Sequence, residues 1–199
     1  MIYKPTIESF KNFVPLKKRT ETKEIVVHCS ATQCLPRYGR REIEQMHRQR
    51  GFATIGYHYV IKKDGTIQEG RPMDTVGAHA VGHNSSSISI CLIGGVDSHN
   101  KPVFNYSEEQ MSSLKALVDW LRSVYINAPV QGHRDYEGVA KECPCFDVRS
   151  WYERNNPAEY IVADGMTNPR KLSKLSNIDF EKANEGQEKF NAGDIVRIA

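Results

Sequence analysis

The sequence predicts an α/β fold, a mixed central β-sheet flanked by helices, and three observations carry the prediction. The apolar runs Ile25-Val26-Val27 and Ile88-Ser89-Ile90-Cys91-Leu92-Ile93 have the length and β-branched content of buried strands. Two segments, one from Arg40 and one from Ser107, repeat apolar residues at intervals of three and four, the period of an amphipathic helix. Strands and helices also alternate without strict strand–helix–strand repetition, which favours a sheet of mixed direction over a purely parallel one.

Residues 1–23 carry two prolines and the basic run Lys17-Lys18-Arg19 with no sustained period, and are expected to form an extended, solvated arm. From Glu24 the first strand begins, with His28 at its end. After turn formers at Pro36 and Gly39, a helix is expected over Arg40–Arg50, placing Ile43, Met46 and His47 on one face and stopping at Gly51. Gly56 to Lys62, the turn dipeptide Asp64-Gly65 and Thr66 to Glu69 read as a hairpin. A polar stretch from Gly77 to Ser87 then feeds the second apolar run, which ends at Gly94-Gly95. Ser107-x-x-Gln110 is a capping box, and Met111, Leu114, Leu117, Val118, Leu121 and Val124 define the buried stripe of the helix it opens. A short strand at Pro129–Gln131 leads into Gly132-His133-Arg134-Asp135, and Asp147 caps a last short helix containing Val148, Trp151 and Tyr152. Three regions result: an arm (1–23), a central domain (24–154) and an extension (155–199) whose roughly 45 residues are near the size limit for a core of its own without metals or disulfides.

Of the 199 residues 39% are hydrophobic, enough for a sizeable core, so wholesale disorder is excluded. A net charge of +3 is too small to argue for direct nucleic-acid binding, which requires a clustered basic face. No run of about 18 apolar residues is present to insert in a membrane, and the start Met1-Ile2-Tyr3-Lys4-Pro5 lacks the apolar segment of a secretory signal, so a cytoplasmic protein is expected. Five cysteines, an odd set without framework spacing, agree with a reducing compartment.

Three groups suggest chemistry: His28 at a strand end, His133 after a strand, and Cys143 in Lys141-Glu142-Cys143-Pro144-Cys145. Two imidazoles and a thiolate are a suitable donor set for a catalytic zinc, which takes about three protein ligands and leaves one position open. Spacing alone does not establish the site. A hydrogen-bonded structural histidine and a loop thiol account for the same residues, and no compact zinc-ligand pattern is matched.

The ordered set Val27-His28-Cys29-Ser30-Ala31-Thr32, Gly56-Tyr57-His58-Tyr59, Asp64-Gly65, Gly77-Ala78-His79-Ala80, Asn84, Ser87-Ile88, Gly132-His133-Arg134-Asp135 and Lys141-x-Cys143-Pro144 resembles the type 2 N-acetylmuramoyl-L-alanine amidases, whose fold is shared by the peptidoglycan recognition proteins. The likeness spans Glu24 to Arg154 and is strongest to the bacteriophage lysozymes that are amidases. It implies a zinc hydrolase that cleaves the amide between N-acetylmuramic acid and L-alanine in peptidoglycan. By the same resemblance His28, His133 and Cys143 are the zinc ligands, Tyr57 and Lys141 the catalytic pair, and His79 and Asn84 substrate-binding residues. The implied setting is a phage endolysin that stays in the host cytoplasm until lysis and then reaches the cell wall. Some phage amidases of this kind also restrain the phage RNA polymerase, so a polymerase contact is a further expectation. Relatives that bind peptidoglycan without cleaving it have typically lost the ligand equivalent to Cys143, which this chain keeps.

Two departures stand out. The interval from His133 to Cys143 is longer than in the phage enzymes, and Cys145 occupies a place where a small hydroxyl residue is usual. His133-Arg134-Asp135 also matches a kinase catalytic loop, but the Asp-Phe-Gly element that would hold magnesium is missing.

Overall fold

The computed structural model describes residues 16–126, 128–155, 159–161 and 195–197. It divides into two units, Met1–Arg149 and Ser150–Ala199. The first holds five strands, β1 (Glu24–Cys29), β2 (Tyr59–Ile61), β3 (Ile67–Glu69), β4 (Ser87–Leu92) and β5 (Val130–Gly132), and the helices α1 (Arg40–Gln49) and α2 (Glu108–Val124). Helix α3 (Val148–Asn155) begins where it ends.

The strands form one sheet in the order β3-β2-β4-β1-β5, parallel throughout except for the β2–β3 hairpin. The mixed sheet flanked by helices is therefore present. After Glu24 every residue of β1 is buried, as expected of a parallel strand covered on both faces. Register and side-chain alternation divide the sheet chemically. Glu24, Val26 and His28 stand level with Ser87, Ser89 and Cys91 on one face; Ile25, Val27 and Cys29 stand level with Ile88, Ile90 and Leu92 on the other.

Helix α1 covers the first face, where Ile43 joins Ile55, Val60, Cys91 and Ile93 in a buried cluster with Met46 packed against it. It opens at Gly39, whose N–H donates to Glu42 Oε2 at 2.9 Å, and Gly51, at φ +86°, ends it in a left-handed conformation that favours glycine. Helix α2 lies on the opposite face, where Trp120 meets Tyr59 edge-on with centroids 6.3 Å apart. Its cap is the expected reciprocal pair: Ser107 Oγ accepts from the Gln110 N–H, and Gln110 Oε1 from the Ser107 N–H, both at 3.1 Å.

The stripe of α2 departs from the pattern in two places. Val124, in the last turn, is 45% exposed. Gln110 is fully buried instead: its Nε2 donates to the carbonyls of Ile61 (3.2 Å), which also accepts from the Ile93 N–H, and Ile93 (2.9 Å), and so ties two neighbouring strand ends together. The hairpin is also shorter than expected. Gly56 and Tyr57 do not join the ladder, since their carbonyls accept from the N–H groups of Ala78 and Arg71 at 2.9 Å each. At Gly56 a Cβ would collide with the Ala78 carbonyl, so only glycine allows the approach.

Residues 16–23 contain no helix, as expected, but not all of the basic run is solvated. Lys17 and Lys18 are exposed, whereas Arg19 is half-buried and donates to the carbonyls of Thr75 (2.8 Å) and Met73 (2.5 Å). Residues 1–15 of the expected arm lie outside the described residues, as does most of the 155–199 extension. In the second unit, β6 (Glu159–Ile161) pairs antiparallel with β7 (Ile195–Arg197).

Candidate metal centre

Strand register explains how two histidines 105 positions apart come together. β1 and β5 are parallel with Val27 opposite Gly132, so one step further His28 and His133 emerge side by side at the carboxyl ends of adjacent strands. In open α/β sheets that edge is where ligands bind. Beyond β5 the chain makes a 3-10 turn over His133–Asp135, fixed by the Gly132 N–H donating to Asp135 Oδ2 at 2.8 Å. The Arg134 N–H then donates to the Cys143 carbonyl at 2.7 Å and folds the later segment back over the strand end.

One donor atom from each of His28, His133 and Cys143 lies within 4.8 Å of the other two. His28 is 1% exposed; its ring centroid is 4.6 Å from that of His133, and its Nδ1 is 3.8 Å from Cys143 Sγ. The Cys29 N–H donates to Cys143 Sγ at 3.2 Å and so fixes the third donor to the end of β1. Burial is the main force lowering the pKa of His28 and His133; the neighbouring His79 and His133 add to it at His28, and Lys141 at His133. Both rings are therefore neutral near pH 7, the form that ligates metal. A hydrogen bond with the Cys29 thiol, reinforced by burial, raises the Cys143 thiol above its ordinary range.

These residues line a cleft of about 670 Å³ that also reaches Tyr57, His79, Asn84 and Lys141. Every site residue expected from the sequence thus borders one cavity. The Tyr57 ring lies 5.1 Å from that of His28 and packs against the α1 core cluster. Burial, followed by the nearby thiols Cys91, Cys143 and Cys29, pushes its phenol well above the usual value, so it keeps its proton. Lys141 is exposed at the rim. Asn84 Oδ1 accepts from the N–H groups of His79 (2.7 Å) and Ala80 (2.9 Å), closing the loop that carries His79. Both ring nitrogens of His79 face protein atoms: Nδ1 is 3.0 Å from His28 Nε2, and Nε2 is 3.2 Å from Ser87 Oγ.

His47 and His58 are packing residues, as expected. His47 is buried and accepts from the Gly56 N–H at 2.8 Å; His58 is fully buried between Ser89 and Thr75. Sequence reasoning gave no role to Ser87, Ser89 or Cys29, which support the site from behind. A signal for the first two was present: an otherwise apolar strand carries hydroxyls at alternate positions, and a hydroxyl buried in a sheet needs a partner. It also missed His83, whose Nδ1 lies 3.0 Å from Glu24 Oε1 and whose ring stacks on Tyr136 with centroids 3.8 Å apart at the cleft edge.

A family model described as N-acetylmuramoyl-L-alanine amidase matches residues 18–146. The chain is 42% identical over 151 residues to an endolysin of Klebsiella phage KP32 and 43% identical over the same length to an endolysin of Escherichia phage T7, matching 76% of this chain and 97% of each relative. Among solved structures, the N-acetylmuramoyl-L-alanine amidase LysC from Clostridium intestinale superposes with a TM-score of 0.61 at 31% identity, covering 71% of this chain and 89% of that one. PGRP-SA of Apis mellifera reaches a TM-score of 0.59 at 22% identity over 75% of this chain and 93% of its own, a likeness of fold.

Proposed function

We propose that this chain, which belongs to the N-acetylmuramoyl-L-alanine amidase family, is an endolysin that cleaves the amide between N-acetylmuramic acid and L-alanine of peptidoglycan and depends on zinc to do so. The observation that carries the zinc dependence is the convergence of His28, His133 and Cys143 at the floor of the cleft, with donor atoms within 4.8 Å of one another.

The donor set fits the ion. Two neutral imidazoles and one sulfur are ligands that zinc takes, the cleft leaves the remaining side open, and a thiol that coordinates a cation is deprotonated outright. Zinc supplies Lewis acidity there, polarising a carbonyl and making water a competent nucleophile at neutral pH.

The chain's own residues do the rest. Tyr57, a phenol held protonated among buried groups, offers a proton to the leaving amine, which must be protonated to depart. Lys141, a cation at the rim, stabilises the negative charge that builds on the carbonyl oxygen. The loop carrying His79 and closed by Asn84 forms a wall of the cleft against which the substrate lies. A module that only binds peptidoglycan has no need of three converging metal donors, which favours the hydrolase. Among the described residues no helix is long and apolar enough to cross a membrane.

Digestion of purified peptidoglycan by metal-free protein, with and without added zinc, tests the proposal. New amino groups of L-alanine that appear only with zinc, without new reducing sugar ends, are the expected result. Binding without release of either group overturns the enzyme, and equal release without zinc overturns the metal dependence.

A further inference from the structure

We propose that Ser87 and His79 are positioning residues, a hydrogen-bond chain that determines which nitrogen of His28 faces the metal site; this rests on the zinc dependence proposed above. The chain starts from an atom whose role cannot change. Ser87 Oγ lies 2.7 Å from the His83 carbonyl oxygen, which can only accept, so the single hydroxyl proton of Ser87 is committed there. Towards His79 Nε2, at 3.2 Å, Ser87 Oγ is left as an acceptor.

His79 Nε2 therefore carries the proton, and in a neutral ring its Nδ1 is bare. That bare nitrogen faces His28 Nε2 at 3.0 Å, which makes His28 Nε2 the donor. The remaining nitrogen, His28 Nδ1, is left with a free lone pair, and it is the atom that points at Cys143 Sγ. Four groups in series carry the fixed polarity of one backbone carbonyl to the donor cluster. The same geometry keeps His79 from being a fourth ligand, since its nitrogen sits on the side of the His28 ring turned away from Cys143.

The anchor is rigid. Ser87 opens β4, is fully buried, and stands level with Glu24 at the start of β1, on the sheet face that His28 shares. Without its hydroxyl nothing opposes the other tautomer of His79, in which Nδ1 becomes a donor. His28 must then place its own proton on Nδ1, inside the donor cluster, and that proton has to leave before a metal binds. Groups of this kind behind metal-ligating histidines contribute about 10–100-fold in affinity.

The test uses the full chain. Zinc affinity, measured by competition with a chromophoric chelator, is expected to fall about 10–100-fold in Ser87→Ala and His79→Ala and to stay within about threefold in Ser87→Thr, which keeps the hydroxyl. Independently, long-range nitrogen–proton spectra of the metal-free wild type should show His28 protonated at Nε2 and bare at Nδ1. A wild-type spectrum with the proton on His28 Nδ1 overturns the chain even if a variant fails to fold, and so does a folded Ser87→Ala protein that binds zinc as tightly as wild type. If wild type itself binds no zinc, the proposed metal dependence fails, and the spectrum still decides the hydrogen-bond chain by itself.

Discussion

Acid should weaken this fold through His58, and the size of the effect follows from its surroundings. The ring is fully buried, with Nδ1 accepting from the Ser89 N–H at 3.0 Å and Nε2 2.9 Å from the Thr75 carbonyl. Burial first, then the positive charges of Arg19 and Arg71, lower its pKa to about 3, although the Thr75 carbonyl pulls the other way. In the unfolded chain the same histidine titrates near 6.5. Between those values the unfolded state takes up a proton that the folded state refuses, so the stabilisation is complete above pH 6.5 and drains away as the pH falls toward 3. At pH 4.5 the loss from this residue is RT ln(1 + 10²), about 3 kcal/mol, and at pH 7.5 it is negligible. Comparing wild type with His58→Gln isolates the effect from every other titrating group. Urea unfolding followed by circular dichroism at the two pH values should show the variant less stable at pH 7.5 and about 3 kcal/mol closer to wild type, or past it, at pH 4.5. A difference between the two proteins that stays constant within about 0.5 kcal/mol would mean that buried His58 titrates like a free histidine, and the argument from its burial would be wrong.

Three other outcomes are expected. Lys141→Ala should lower the rate of alanine-amine release by about 10²–10³-fold while leaving zinc affinity within about threefold, because the lysine acts on developing charge and not on the metal; a parallel loss of zinc binding contradicts that role. Gln110→Ala should cost about 1–3 kcal/mol in urea unfolding at neutral pH, since the Ile93 carbonyl loses its buried side-chain donor and the Ser107 N–H its acceptor, while Ser107 still caps the helix; a cost below about 0.5 kcal/mol would show that the bridge contributes little. Cys145 Sγ donates to the Gly95 carbonyl at 3.1 Å, and a Cβ on Gly95 would lie against Cys29, so both thiols pack on Gly95, and Cys29 in turn donates its N–H to the proposed metal ligand Cys143. Mild oxidant should inactivate the wild type reversibly through these thiols, and Cys145→Ser should retain most activity; inactivation unchanged in the variant would assign the sensitivity to Cys29 and Cys143.

What could be read from the chain was what is locally encoded. The cap at Ser107, the stop at Gly51, the Asp64-Gly65 turn and the apolar periods of β1, β4 and α2 depend on residues within a few positions of one another, and each is where periodicity put it. The meeting of His28 with His133 is not local: it depends on the register of β1 against β5, which nothing within either segment specifies. For the metal ligands, family resemblance supplied what spacing could not. The errors have a common origin. Gln110 reads in the sequence only as the capping partner of Ser107, because the carbonyls of Ile61 and Ile93 to which its amide donates lie at the ends of strands far away along the chain. Arg19 looked like one more solvated charge, and Gly56–Tyr57 like the start of a strand, because their partners at residues 71–78 lie in a loop that carries no periodic signal.

The three donors come from the end of β1, the turn after β5 and a segment ten residues beyond His133, so the unfolded chain holds no preformed site for a metal. A cation held by all three would favour the folded molecule, and its occupancy would become a term in the folding equilibrium. At a free concentration one hundred times its dissociation constant, such an ion would deepen the native well by about 2.7 kcal/mol, comparable to the loss from His58 at pH 4.5. Thermal midpoint against zinc concentration then doubles as a binding isotherm. On the proposed zinc dependence, a chelator would act on this protein twice, once on its chemistry and once on the population of chains that remain folded.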